Sequence, residues 1–457
     1  MTEPTGKQTG KHTGRGTGRS HGERAVRAAH AEREVQPLTR LPDGTVKQVN
    51  PVTGTKVWTL PGRGARPLGL TRPAPLPLDP AEHDRHCAFC AGRLLETTPE
   101  IARLVRDVRE AGGWREIRGL TAEQLGDTVA QFRLFPNLFE ILTYDYWHLA
   151  HGFEPTPESQ GHRTAYLSTP GGRAHLTALA RIRMRARDSR GADAEPFDER
   201  DLERESVALF AGNHQVLVAR RHFTDGALDD WQNAGSGTLT PEEHWHYTRF
   251  TIQAMHDLYR GNPHARYVSA FQNWLRPAGA SFDHLHKQLV AIDEPGVDLE
   301  RESERVRAEP DLFTRWGRQF ADEQGLVVAR TSTAVAFAGV GHQYPSLVVH
   351  TTNTERRPWE LSDEEVRDFS DVVHACHAAI GVDVPTNEEW HHGPPQLDLP
   401  IPLRAVIKLR VSTPAGFEGG TKIYVNTIDP WAVHERTVTR LRDLADRGLV
   451  SDRITIG

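Results

Sequence analysis

The run His284-Leu-His286-Lys-Gln288 carries two imidazoles and a carboxamide at alternate positions. Alternate side chains of a strand share a face, so a strand here turns all three the same way and sends Leu285 and Lys287 to the other side. The continuation Gln288-Leu-Val-Ala-Ile292 is apolar and partly β-branched, and Pro277-Ala-Gly279 supplies a turn ahead of it, the signature of a turn feeding a strand. An imidazole with one nitrogen held in a hydrogen bond presents the other as a nucleophile. A carboxamide two residues on can donate to an oxygen where charge develops. The chemistry that suits this set is attack at phosphorus, with the neighbouring histidine binding a metal or orienting the first. Among 24 histidines an HxH pair arises readily by chance as ordinary packing. HxHxQ behind Asn273, Gly279 and Ser281 does not.

A second chemical signal is Cys87-Ala-Phe-Cys90. Two thiolates so spaced can share a tetrahedral ion, which needs two further ligands. No thioredoxin-like βαβ pattern surrounds the pair, which disfavours a redox role. His83 and His86 are the local candidates, and His214 is a further one. The third cysteine, Cys376, falls within a helical pattern and reads as a buried inert thiol.

The stretch around His286 resembles the active-site strand of the galactose-1-phosphate uridylyltransferase-like family, part of the histidine-triad superfamily. That family has an Asn ahead of a Gly-x-Ser-x-x-His-x-His-x-Gln run, matched here by Asn273, Gly279, Ser281, His284, His286 and Gln288. Ala280, Phe282, Asp283, Leu285 and Lys287 stand where Cys, Asn, Pro, Pro and Gly are usual. The resemblance implies that His286 is the nucleophile carrying a covalent nucleotidyl group, with Gln288 and Ser281 on phosphoryl oxygens and Asn273 orienting phosphate. It also implies a structural zinc held by Cys87, Cys90, His222, which follows the strand-like Gln215–Ala219, and His284. Phe135-Pro-Asn137 resembles the family's nucleotide-pocket segment, which gives Asn137 a contact to base or ribose. Gly416-Phe-Glu418 resembles a family element that reaches sugar hydroxyls in a partner subunit's site. A glycine-rich hairpin is the plainer reading there, with Gly416, Gly419 and Gly420 supplying positive φ.

These residues must be positioned by a chain of 457 residues with a net charge of −6. The balance of charge disfavours a dedicated nucleic-acid binder. Three cysteines point to a reducing compartment, no apolar run reaches membrane-spanning length, and the start lacks a signal peptide's apolar core. The expectation is a cytoplasmic protein that does not enter a membrane. Residues 1–34 repeat Thr-Gly-Lys/Arg units with almost no large apolar side chains and read as a disordered tail. Arg63 and Arg66, in a glycine-rich stretch, are possible phosphate contacts. Residues 35–310 read as one histidine-triad-like half, interrupted by an insertion at about 143–209, and 311–457 as the other. In the second half the comparable position is Trp390-His-His392-Gly, which lacks the glutamine and is not expected to be a second catalytic centre.

The fold class expected is α+β: duplicated histidine-triad-like halves, each an antiparallel sheet flanked by helices, and the family resemblance implies a homodimer. The function implied is nucleotidyl transfer between a nucleotide sugar, or another nucleoside-diphosphate compound, and a phosphorylated acceptor. A phosphorylase or hydrolase using the same His286, and a non-catalytic zinc-stabilised nucleotide-binding protein, are the alternatives.

Overall fold

The structure, a computed structural model, describes residues 36–62, 74–107, 113–187 and 197–457. The expected N-terminal tail and the arginines at 63 and 66 lie outside the described residues. In chain order the strands are β1 (Leu38–Arg40), β2 (Val46–Val49), β3 (Lys56–Thr59), β4 (Ala102–Arg106), β5 (Trp114–Arg118), β6 (Ala130–Pro136), β7 (His214–Ala219), β8 (Tyr267–Trp274) and β9 (His286–Ile292). They continue as β10 (Val327–Arg330), β11 (Ala334–Ala338), β12 (Ser346–Thr351), β13 (Thr386–His391), β14 (Arg404–Leu409), β15 (Ile423–Asn426) and β16 (Thr455–Ile456).

Twelve of these form one sheet, in the order β16-β10-β11-β12-β14-β13-β8-β9-β7-β6-β4-β5. Six strands from the second half of the chain are followed by six from the first, and every pairing is antiparallel. The architecture is α+β with two similar halves. The halves are not separate sheets: they run into each other where Asn387 pairs with Asn273 and Trp390 with Ala270. A smaller sheet, β1-β2-β3-β15, adds the N-terminal hairpin to a strand of the second half.

The pleat decides which residues meet. Antiparallel partners share a face, so His286 and Gln288 stand with Val218 and Val216, while Lys287 and Leu289 stand with Leu217 and Gln215. On β8 burial alternates strictly, with Gln272 and Trp274 inward. The inward face is covered by two long helices, α5 (Pro241–Gly261) and α7 (Asp363–Ile380), after α1 (Tyr144–His151), α2 (Pro157–Leu167), α3 (Pro170–Arg187) and α4 (Glu199–Ala211). Thr240 and Glu243 close a capping box at the start of α5, as Ser362 and Glu365 do for α7, each satisfying orphan N–H groups of a first turn. The hydroxyl of Ser370 lies 2.7 Å from His244 Nδ1 and ties the helices to each other.

Beneath the junction of the halves sits a buried charge. Lys287 Nζ lies 2.6 Å from Glu388 Oε1, and the two side chains are 1% and 0% exposed. His377 Nε2 is 2.7 Å from the other carboxylate oxygen, and the indole N–H of Trp390 donates to the first. The rings of Tyr247 and Trp390 flank the ammonium. Burial lowers the Lys287 pKa, and the charge of Lys287 with the hydrogen bond from His377 holds the Glu388 carboxyl well below its usual range against the opposing effect of burial.

The segment at about 143–209 builds α1 to α4, with a small core of its own around Tyr166, Leu176, Leu179, Leu202 and Leu209. His175 bridges this unit to the sheet: its Nδ1 lies 2.7 Å from the Tyr166 hydroxyl and its Nε2 2.9 Å from the Thr97 carbonyl. Further along come α6 (Val297–Ala308), α8 (Gly416–Thr421) and α9 (Pro430–Asp446). The glycine stretch expected as a hairpin is thus a short helix. The Glu418 carboxylate accepts from the Ala415 N–H and caps it, so the positive φ falls at Lys422 rather than at Gly416, Gly419 or Gly420. Cys376, in α7, is fully buried, which pushes its thiol up to about 12.

Removing one member of a buried ion pair leaves the other uncompensated, at about 3–5 kcal/mol. We expect Lys287→Met to lower Tm by roughly 5 °C or more, and Lys287→Met with Glu388→Gln to recover part of that loss. Thermal unfolding of the two variants checks it. A double variant no more stable than the single would remove the pair from this role.

Candidate active site and metal centre

The Cys87–Cys90 turn is closed by the Cys90 N–H donating to the Cys87 carbonyl at 3.0 Å and the Cys87 N–H pointing at Cys90 Sγ at 3.4 Å. The loop after β7 brings His222, and the turn before β9 brings His284. The two sulfurs are 3.7 Å apart, and the four sulfur-to-Nδ1 separations run from 3.4 to 3.8 Å. Tetrahedral bonds of about 2.3 Å to sulfur and 2.0–2.1 Å to nitrogen give edges of about 3.8 Å (S···S) and about 3.5 Å (S···N). The donor atoms therefore already sit at the corners that an ion would impose. His284 Nε2–H donates to the Ala219 carbonyl at 2.7 Å, which leaves Nδ1 as the ligand atom.

The two thiols are held unequally. The hydrogen bond from Cys87 pulls Cys90 down to about 2, and the same hydrogen bond pushes Cys87 up. Two thiols and two imidazoles are a donor set for a soft or borderline cation. Among the described residues this is the group of four whose donor atoms lie within 4.8 Å of one another. The local candidates do not join it. His86 packs edge-on against the His222 ring, with ring centroids 4.8 Å apart, and His83 lies 3.3 Å from the Ala227 carbonyl.

Phe89, between the cysteines, links this cluster to the neighbouring site. Its ring meets Phe135, Phe282 and His286 at centroid distances of 5.8, 4.6 and 5.2 Å. His286 itself is 4% exposed. Its Nδ1–H donates to the His284 carbonyl at 2.7 Å, so the lone pair is on Nε2. Burial lowers its pKa to about 4. The side chain is a neutral imidazole of fixed tautomer, the form a nucleophile requires.

Gln288 is set by a partner that the sequence did not assign. His214, at the head of β7, accepts from the Ile141 N–H on Nδ1 at 3.2 Å, so its Nε2–H donates to Gln288 Oε1 at 2.9 Å. That directs the carboxamide NH2 of Gln288 away from His214. Asn137 Nδ2 lies 3.2 Å from the same imidazole, and Asn137 Oδ1 accepts from the Phe139 N–H in a local turn. His214 is thus not in the metal cluster. It joins Gln288 and Asn137, and the signal that could have found it is parity: His214 pairs with Val290 and shares its face with Gln288.

Asn273, at the end of β8, accepts from Asn387 Nδ2 at 2.7 Å, and Arg410 Nη1 donates to Asn387 Oδ1 at 2.6 Å. With its oxygen occupied, Asn273 presents its NH2. The turn that follows carries positive φ at both Leu275 (66°) and Gly279 (90°). A buried non-glycine residue so held is strained, and the strain sits between Asn273 and Ser281. Ser281 is exposed on this turn. Glu418 is not brought to His286: its carboxylate caps its own helix, and Phe417 beside it contacts the Trp58 ring.

The twelve-stranded antiparallel sheet flanked by helices is a fold that the chain shares with solved structures. The chain is similar to the crystal structure of an ADP-glucose phosphorylase from Arabidopsis thaliana with bound ADP-glucose, with a TM-score of 0.54 and 17% identity over 86% of this chain and 98% of that one. It is also similar to the X-ray structure of a galT-like protein from Arabidopsis thaliana, with a TM-score of 0.51 and 17% identity over the same shares of the two chains. No curated protein matches the sequence. Residues 41–457 match the family described as a domain of unknown function, DUF4921, and the chain belongs to that family.

Elemental analysis of the purified protein is expected to find about one transition-metal ion per chain, and Cys90→Ser to lose it together with thermal stability. Full stability of a metal-free Cys90→Ser protein would show that the cluster needs no ion.

Proposed function

We propose that the protein is a nucleotidyltransferase that works through a covalent nucleotidyl-His286. The observation that carries this reading is the buried His286 imidazole with its Nδ1–H on the His284 carbonyl. Nε2 attacks the α-phosphorus of a nucleoside-diphosphate compound. The Nε2–P bond forms, the bridging P–O bond breaks, and the phosphorylated leaving group departs with the electron pair. A phosphate oxygen of the acceptor then attacks the same phosphorus and displaces His286. The Gln288 NH2, freed by His214, and Ser281 donate to phosphoryl oxygens as charge builds. Asn273 orients phosphate, and Asn137 contacts base or ribose.

Zinc is the ion we propose for Cys87, Cys90, His222 and His284, where it would hold the turn before β9 in place. Residues 35–310 and 311–457 are proposed as the two halves of one unit, working as a cytoplasmic homodimer. In that assembly Glu418, on an exposed helix away from its own His286, would meet sugar hydroxyls in the partner's site. A nucleotide sugar is the proposed donor and a sugar phosphate the acceptor. The likeness to an ADP-glucose phosphorylase supports inorganic phosphate as a second acceptor, and product identification separates the two.

Intact-mass measurement after incubation with nucleotide sugars, quenched without acid, is expected to show a nucleotidyl adduct that His286→Ala abolishes. His286→Ala should cost about 10⁴-fold or more in turnover, and Gln288→Ala about 10²-fold. An adduct that survives His286→Ala would sink this mechanism.

A further inference from the structure

The face of the sheet that carries His286 continues into the second half, where it floors a cavity of about 660 Å³. The volume falls in the range of small-ligand sites, about 300–1,000 Å³. His350 from β12, Glu389 and His391 from β13, and Arg404 and Lys408 from β14 form the floor. The β2–β3 turn, the start of α6 and the 421–424 loop wall it in.

This is not the His286 site. Gln288 pairs with Phe271, Phe271 with Glu389, and Glu389 with Val406. Three strand spacings, about 14 Å, separate the Gln288 column from the middle of this floor. None of His286, Gln288, Asn273 or Asn137 lines it.

The lining is chemically particular. It holds five basic side chains (Lys56, Arg301, Arg404, Lys408 and Lys422) against three acidic ones (Asp298, Glu302 and Glu389). Lys408 Nζ lies 2.6 and 2.7 Å from the Glu389 carboxylate oxygens, at a position one-fifth exposed. Arg404 is buried and donates from Nη2 to Glu302, and its Nε has no hydrogen-bond partner. Burial, reinforced by Lys408 and Arg404 at His342 and by Arg404 at His350, lowers the pKa of both imidazoles and favours their neutral form. Neutral imidazoles offer both a donor and an acceptor. The histidines are not grouped as metal ligands, because the one such cluster among the described residues lies elsewhere.

A cationic excess selects an anion. A carboxylate and neutral imidazoles beside it select hydroxyl groups, and Trp316 and Phe337 in the wall give a flat apolar surface for a ring. We propose that the cavity is a second ligand site, for a phosphorylated sugar. The phosphate would lie toward Lys408 and Arg301 and the hydroxyls toward Glu389 and the imidazoles. The site stands whether or not His286 is a nucleophile.

Calorimetric titration of the full chain carrying His286→Ala and Gln288→Ala, with α-D-glucose 1-phosphate as probe, tests it without turnover. Binding is expected to persist in that background and to weaken at least about tenfold when Lys408→Met is added, the worth of one charge-assisted hydrogen bond. Arg301→Glu, on the exposed rim, should weaken it several-fold with Tm unchanged, so the result does not hang on how Lys408→Met folds. Glucose alone should bind far more weakly. No heat with glucose 1-phosphate up to about 10 mM, or an affinity unchanged by both substitutions, overturns the proposal. Equal affinity for inorganic phosphate overturns the sugar part of it.

Discussion

The ion pair of Lys287 and Glu388 fixes where the two halves of this molecule meet. It spans β9 and β13 across the intervening β8, below the sheet, with both side chains out of solvent. Lys287 sits between His286 and Gln288, so whatever holds it inward holds them outward. A one-residue slip of β9 would drive a charge into the site and two polar groups into the core. The family resemblance places glycine at this position, and the lysine comes with its own acceptors. Glu388 on β13 and Gln272 on β8 accept from it, while His377 on α7 donates to the other Glu388 oxygen.

The outward face is then assembled by backbone as much as by side chain. The His284 carbonyl fixes the tautomer of His286, while the His284 ring reaches the cysteines. One residue therefore serves both clusters, and Phe89 closes the space between them. The geometry of the proposed nucleophile depends on the turn that also presents a metal ligand. His214 gives Gln288 a comparable constraint from the next strand.

Local pattern made much of this legible. The strand through His286 and Gln288 reads from alternating side chains, although His284 falls in the turn before it rather than on the strand, and CxxC reads as a ligand pair because a turn puts two sulfurs together. The resemblance supplied His222 and His284 as their companions, and the structure brings all four together. What stayed hidden depends on contacts between distant residues. Glu388 lies 101 positions from Lys287, and nothing near either residue announces the other. His214 looked like a spare ligand because its role comes from a register across strands. The glycines around Glu418 looked like a turn because capping by that carboxylate outweighs their weak helix propensity. Trp390-His-His392 looked like a lapsed motif because the cavity above His391 is built from six separate stretches of the chain.

The four-helix segment leaves the sheet after Asn137 and returns at His214, and the Asn137 N–H donates to the His214 carbonyl at 2.7 Å where the two ends meet. Its entry and exit are thus stapled side by side, between the CxxC turn and His222 in the order of the chain. Loop-closure entropy grows only slowly with length, so a segment anchored in this way is free to lengthen, shorten or be exchanged. Trp147 and Phe153 pack into the main core and His175 reaches the Thr97 carbonyl, so that freedom lies between these further anchors. Variation can therefore fall on the stretches of an appendage while the sheet beneath it stays constant, a division of labour that begins at one backbone hydrogen bond.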